Sequence, residues 1–293
     1  MTDTTDQVAE GITAPSPEDI GVNYDQFADL HELIASDISL HIGLWSPPGD
    51  REPASTLLDL SNRAQEQQTD YHLETLGVQA GDHLLDIGCG AGAPAVRIAQ
   101  RSGARVTGIN VSQVQLDKAV ERAKSADVAD RVSFGYGNAM ALDFADESFD
   151  AAMAIEVFAH LSDRRQGFAE AARVLRPGGH FLVTEFTLRG TPSEELLTAY
   201  LQTWHCMPPT TPAKTMELAA DAGFELVKVD NMTQNCAFSG EVMGLLYADR
   251  HDEIVDRYGP ELVGEMDYVM PLVRTFFREH LGCYMFLLRK PAK

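Results

Sequence analysis

From position 83 onward, apolar residues come in short runs at 83–87, 105–109, 132–136, 149–155 and 180–187. Between the runs, at 93–101, 112–126 and 164–175, apolar positions recur every three to four residues. The runs predict strands and the intervals predict amphipathic helices, and strands alternating with helices build parallel βαβ crossovers. Arg176-Pro177-Gly178-Gly179 stops the third of these helices. Ahead of the alternation the pattern is helical. Ser16-Pro17-Glu18-Asp19 supplies a cap, a first-turn proline and two early acids before Ile20, Tyr24, Phe27 and Leu30. A second amphipathic stretch covers 54–76, and His41-Ile42-Gly43-Leu44-Trp45 with the turn Ser46-Pro47-Pro48-Gly49-Asp50 separates the two. After 188 the pattern predicts helices at 193–203 and 212–222, a strand at 224–229, two helices within 239–281 and a late strand at 283–288 returning into the sheet. The fold class is therefore α/β and Rossmann-like, with a mostly parallel sheet covered by helices on both faces. The expected organisation is a flexible tail at 1–15, an N-terminal helical lid at 16–80, and one catalytic domain at 81–293 carrying a helical insertion at about 239–281.

Charge narrows the partners. A formal net charge of -21 disfavours DNA, RNA and anionic membrane surfaces, whose phosphates are bound by Lys and Arg. No Lys or Arg precedes Arg51, so the start lacks the basic character of a secretory or transit segment, and a cytoplasmic location is expected. Cys89, Cys206, Cys236 and Cys283 are scattered with no CxxC pair, and no Asp/Glu/His cluster has metal-ligand spacing. Reduced thiols and catalysis without a metal are the expectation.

The chemistry concentrates at Leu84-Leu85-Asp86-Ile87-Gly88-Cys89-Gly90-Ala91-Gly92, an apolar strand ending in an acid and a glycine-rich turn that opens a helix. Glycines there permit a tight turn and close approach of a ligand to the backbone. A nucleotide phosphate is disfavoured, because no Gly-Lys-Ser/Thr follows and Asp86 would repel it. S-adenosylmethionine carries an ammonium and a sulfonium and no phosphate, and suits Asp86 beside Gly88, Gly90 and Gly92.

This segment resembles the first motif of class I S-adenosylmethionine-dependent methyltransferases, and the order of later elements is similar to theirs from about His83 to Lys290. Within that family the chain looks like the natural-product tailoring branch. Tyr24-Asp25, His41-Ile42-Gly43-Leu44-Trp45, Gly88 to Pro94 and Glu156 to His160 match that branch's Tyr-Asp, His-x-Gly-aromatic-Trp, Gly-Cys-Gly-x-Gly-x-Pro and Glu-x-x-x-His elements. The resemblance implies a seven-stranded sheet, with Asp86 and Gly88 holding the methionine end of the cofactor and Gly90 beside them. It places the ribose at Asn110, an amide where most relatives have an acid, with Ser112, Gln113 and Gln115 nearby, and the adenine at Asn138 and Ala139. Met140 either packs on the ring or belongs to the core, and Glu156 falls at the cofactor's edge.

An oxygen acceptor must lose a proton, and His160, just after the fourth strand, is the candidate base with Glu185 as the group that orients or assists it. Relatives with two adjacent histidines place the first where this chain has Ala159. Tyr24 and Trp204 are the candidate substrate residues, out of an aromatic and thioether set that also holds Phe27, Trp45, Phe158, Phe186, His205, Met207 and Phe238. The implied activity is methyl transfer to a hydroxyl of a small, largely apolar glycoside, polyketide or terpenoid. The alternatives are C-methylation of a prenyl or electron-rich ring carbon and a non-catalytic cofactor-binding scaffold. A nicotinamide-dependent oxidoreductase is made improbable by Asp86. The late insertion serves either substrate fit or a subunit contact in a homo-oligomer.

Overall fold

The structure is a computed structural model that describes residues 14–36, 38–45 and 53–292. Of the expected tail only Ala14 and Pro15 fall within it, and the turn expected at 46–50 lies outside the described residues. Two capping boxes start the lid helices. Ser16 with Asp19 opens α1 (Pro17–Gln26), and Thr56 with Asp59 opens α3 (Leu57–Leu76). The single first helix expected from Ser16 is broken at Phe27, whose φ of -110 and ψ of 15 end α1, and α2 (Ala28–Ile34) follows.

The crossovers then run β1 (His83–Ile87), α4 (Ala93–Ser102), β2 (Arg105–Asn110), α5 (Gln113–Ser125), β3 (Val132–Tyr136), β4 (Phe149–Ile155), α6 (Arg164–Val174) and β5 (Leu175–Leu188). A 3₁₀ turn at Phe158–His160 separates β4 from α6. The chain continues through α7 (Glu194–Trp204), α8 (Pro212–Asp221), β6 (Glu225–Asn231), α9 (Thr233–Asp249), α10 (His251–Tyr258), α11 (Pro260–Glu279) and β7 (Leu281–Arg289). The late insertion thus holds three helices where two were expected, and begins at Thr233 instead of Ser239. The Arg176-Pro177-Gly178-Gly179 stop lies inside β5 as a bulge: Phe149 pairs Leu175, and the register resumes with Ala151 opposite His180.

One seven-stranded sheet has the order β3-β2-β1-β4-β5-β7-β6, and β7 alone runs antiparallel to its neighbours. Alternation along the strands divides the core into two layers. Leu84, Val106, Met153, Leu182, Met285 and Leu287 face one set of helices, while Leu85, Ile109, Ala152, Phe181, Val183 and Phe286 face the other. The strand order reverses between β1 and β4, and in open α/β sheets that switch point opens a crevice beyond the strand ends.

Candidate active site

A cleft of about 1330 Å³ lies at that crevice. Its walls include Asp86, Gly88 and Gly90 at and beyond the end of β1, Asn110 and Gln115 at and beyond the end of β2, Asn138, Ala139 and Met140 after β3, and Glu156 after β4. All eight residues expected to bind the cofactor therefore line one space. A second cavity of about 710 Å³ adjoins it, and Tyr24, Leu40, His41, Glu156 and His160 line both. The boundary between the two is where a methyl group would cross.

Asp86 is 2% exposed, and its Oδ2 has no hydrogen-bond partner among the described residues. Burial pushes its carboxyl up to about 7. An orphaned buried acid at a strand end calls for a cationic partner, which the ammonium of S-adenosylmethionine would provide. Gly90 holds a φ of +52, and a Cβ added there would meet nothing within 4 Å, so its backbone stays open toward the cleft. At the ribose position Asn110 Oδ1 accepts from the Val111 N–H at 2.9 Å, and its Nδ2 donates to Gln115 Oε1 at 2.7 Å. With both oxygens engaged, this pair presents amide donors to ribose hydroxyls, the reverse of what a carboxylate presents. Asn138 repeats the arrangement, its Oδ1 accepting from the Met140 N–H at 2.9 Å. Met140 both lines the cleft and packs on the core cluster beneath it.

Glu156 sits at the boundary with a left-handed φ of 60. Its Oε1 accepts from the Ile42 N–H at 2.9 Å and from Gln68 Nε2 at 3.5 Å, while burial raises its carboxyl to about 8. His160 Nε2 lies 3.1 Å from the Tyr24 hydroxyl, and its Nδ1 lies 3.3 Å from the His205 carbonyl. A carbonyl only accepts, so Nδ1 carries the proton and Nε2 is left as the acceptor. Burial holds this imidazole down at about 4, so it is neutral near pH 7.

Trp204 lines the second cavity with Tyr24, stacked on His31 at 6.0 Å. Of the wider aromatic set, Trp45 and Phe186 also line it. Phe158 is fully buried in the core, Phe27 packs on Tyr258, and Phe238 is 48% exposed against Trp45, and these three do not line the second cavity. Met207 and His205 line neither space; His205 contributes its carbonyl instead. Glu185 also lines neither cavity. It is 1% exposed, 3.7 Å from Arg164 Nε, with both carboxyl oxygens lacking a hydrogen-bond partner among the described residues. Burial raises it to about 7, outweighing the nearby guanidinium.

Several residues that line the second cavity were not among the site candidates read from the sequence. Tyr200, Val242, Met243 and Phe277 complete the apolar wall, and His41, Ser61, Gln65 and Ser239 the polar one. The His41–Trp45 motif is a seam between lid and insertion: Trp45 Nε1 donates to Ser239 Oγ at 2.8 Å and the Trp45 N–H to Asn235 Oδ1 at 2.9 Å. Gly43, at a φ of +75, would bring a Cβ within 2.9 Å of the Ala64 Cβ, which explains the glycine in the motif.

A seven-stranded sheet with one reversed strand, bearing a buried carboxylate and an open glycine turn at its switch point, defines a class I S-adenosylmethionine-dependent methyltransferase. Residues 85–183 match the family described as a methyltransferase domain. The 27-O-demethylrifamycin SV methyltransferase of Amycolatopsis mediterranei is 42% identical over 182 residues, which are 62% of this chain and 63% of that relative. O-methyltransferase resE of Aspergillus sclerotiorum is 35% identical over 76% of this chain and 84% of its own length. The crystal structure of the [4+2]-cyclase SpnF superposes with a TM-score of 0.80 at 28% identity, covering 97% of this chain and 100% of that one. The chain belongs to the class I S-adenosylmethionine-dependent methyltransferases, in the natural-product tailoring branch. It is an enzyme that methylates a small molecule with S-adenosylmethionine.

Proposed function

We propose that the acceptor is a hydroxyl of a small, largely apolar natural product and that His160 is the general base. The observation that carries this reading is an imidazole at the boundary of two cavities, with its Nε2 3.1 Å from the Tyr24 hydroxyl. When bound, the cofactor supplies an electrophilic methyl group on sulfur. The protein's part is to orient the acceptor, exclude water and take the hydroxyl proton. Tyr24 holds the acceptor oxygen in reach of Nε2, and the proton passes to His160 either directly or through the tyrosine hydroxyl. Trp204, Phe186, Tyr200 and Phe277 form the apolar wall that seats a flat or greasy skeleton. The names of two relatives, a 27-O-demethylrifamycin SV methyltransferase and the O-methyltransferase resE, support an oxygen nucleophile over a carbon one. Asp86, Gly88, Gly90, Asn110, Gln115, Asn138, Ala139 and Glu156 are the proposed cofactor contacts. Homo-oligomeric assembly through the insertion and a cytoplasmic location complete the reading; no helix among the described residues is long and apolar enough to cross a membrane.

The test is a screen of polyketide, glycoside and terpenoid alcohols with S-adenosylmethionine, read as product O-methyl resonances and S-adenosylhomocysteine release. Replacing His160 by Asn should lower kcat roughly 100- to 10,000-fold while leaving cofactor affinity in place. Asp86→Ala should instead abolish cofactor binding in calorimetry. Unchanged turnover in the His160 variant, or a C-methyl product, would overturn the proposed chemistry.

A further inference from the structure

Arg164 opens α6 with its side chain only 15% exposed, and it lines neither cavity. Its Nε–H donates to the Phe158 carbonyl at 3.1 Å, and Nη2 donates to the Pro208 carbonyl at 3.2 Å. The first carbonyl belongs to the 158–160 turn and the second to the segment between α7 and α8. A further link joins the same two pieces of chain, from the Met207 N–H to the Ala159 carbonyl at 2.8 Å. Just ahead of these ties in the chain lies His205, a non-glycine residue at a φ of 45, whose carbonyl is the 3.3 Å partner of His160 Nδ1. That contact is near the long limit for a hydrogen bond, so it depends on how closely the two segments are held.

We propose that Arg164 is a positioning residue that fixes His160 in its Nδ1–H form, by clamping the 205–208 segment onto the 158–160 turn with Glu185 as its buried counter-ion. The clamp needs a planar fork, since two carbonyls and a carboxylate are approached at once, and a lysine ammonium cannot match that geometry. Glu185 makes no hydrogen bond within the described residues, so its contribution at 3.7 Å is electrostatic and grows as the carboxyl ionises toward and above about 7. This explains a buried acid at the end of β5 that never reaches the acceptor. Free imidazole favours the other tautomer, with the proton on Nε2, and that form offers no lone pair to Tyr24 or to a substrate hydroxyl. The inference rests on the reading of His160 as the base, but concerns how the ring is prepared.

The imidazole nitrogen shifts of isotope-labelled histidine, recorded at neutral pH and assigned with His160→Asn, report the tautomer without any acceptor. In the wild type the Nδ1–H form should predominate. In Arg164→Met and Arg164→Lys the ratio of Nδ1–H to Nε2–H should fall by about fivefold, the equilibrium equivalent of one ordinary hydrogen bond. Arg165→Met, which removes a surface pairing with Asp221, should leave the ratio unchanged. Calorimetry with S-adenosylhomocysteine shows which variants remain folded, and if the Met variant does not, the Lys variant decides. A wild-type ring in the Nε2–H form, or an unchanged ratio in a folded Arg164 variant, would overturn the proposal. Full turnover in His160→Asn would remove the base and leave the tautomer result standing.

Discussion

Asp86 and Glu156 stand in the larger cleft with carboxyls raised to about 7 and about 8, because burial disfavours their charged forms and no cation among the described residues compensates. A cationic cofactor changes that balance, so its binding should expel protons. Near neutral pH, calorimetry in buffers of different ionisation enthalpy should detect this release for S-adenosylmethionine, and less of it for S-adenosylhomocysteine, which lacks the sulfonium. Asp86→Asn should remove the share that belongs to the ammonium site. Cofactor affinity should accordingly fall by up to about tenfold per pH unit below the Asp86 value. His160 titrates elsewhere. Held down at about 4, it should leave kcat at saturating cofactor flat through mildly acidic pH, with an acid limb far below that of an ordinary histidine. A limb near the free-imidazole value would contradict the burial seen at this ring.

At the scale of elements, one tie between the N-terminal helices and the α/β core lies beside the ribose position. Asp25, at the end of α1, accepts from Ser112 Oγ and from the Val114 N–H at 3.2 Å, and so closes the N-terminus of α5 beside the ribose position. A Cβ on Gly21 would lie 2.5 Å from the Val111 carbonyl oxygen, which shows how tightly α1 rests on that loop. Asp25→Ala should remove the equivalent of a helix cap, about 1 kcal/mol, and should speed cofactor dissociation more than association. Stopped-flow release of S-adenosylhomocysteine would measure it. The strands, glycine turn and lid helices were legible because burial patterns and caps are written into adjacent residues. The break at Phe27, the β5 bulge and the third insertion helix were not; in the insertion, α9 packs on α11 and α11 on α7, contacts between residues far apart in the chain. Arg164 was illegible for a related reason: its partners are backbone carbonyls, which any residue supplies. Glu185 was legible as an acid at a strand end, whereas its place outside both cavities, beside Arg164, was not.

Across the whole molecule the buried titrating groups oppose one another. His31, His41 and His160 are lowered to about 4 and His72 to about 3, all by burial. The unfolded chain binds those protons first, so stability rises with pH up to the ordinary histidine value of about 6.5. Asp86, Glu156 and Glu185 are raised to about 7, 8 and 7, and the folded chain keeps protons that the unfolded chain has lost. Their contribution falls as pH climbs from the ordinary carboxylate range to those values. Cofactor-free stability should therefore pass through a maximum near the histidine value and decline above it. Cofactor should flatten the decline, because two of the three acids then ionise in the folded state. Urea midpoints across this range, with and without S-adenosylhomocysteine, would test the curve, and a monotonic rise to alkaline pH would exclude it.

The reversed strand also dictates when the molecule can be finished. β7 is the last strand described, yet it lies between β5 and β6 and supplies the pairing edge of both. While the chain emerges from a ribosome, β5 presents an unsatisfied edge and β6 has no place to dock until residues 281–289 appear. The first five strands can assemble during synthesis, but the apolar layer of Cys283, Met285 and Leu287 that seats α9 and α11 arrives last. The second cavity, walled by Val242, Met243 and Phe277 from those helices, is thus a late product of folding, closed only after the larger cleft beside β1 already exists.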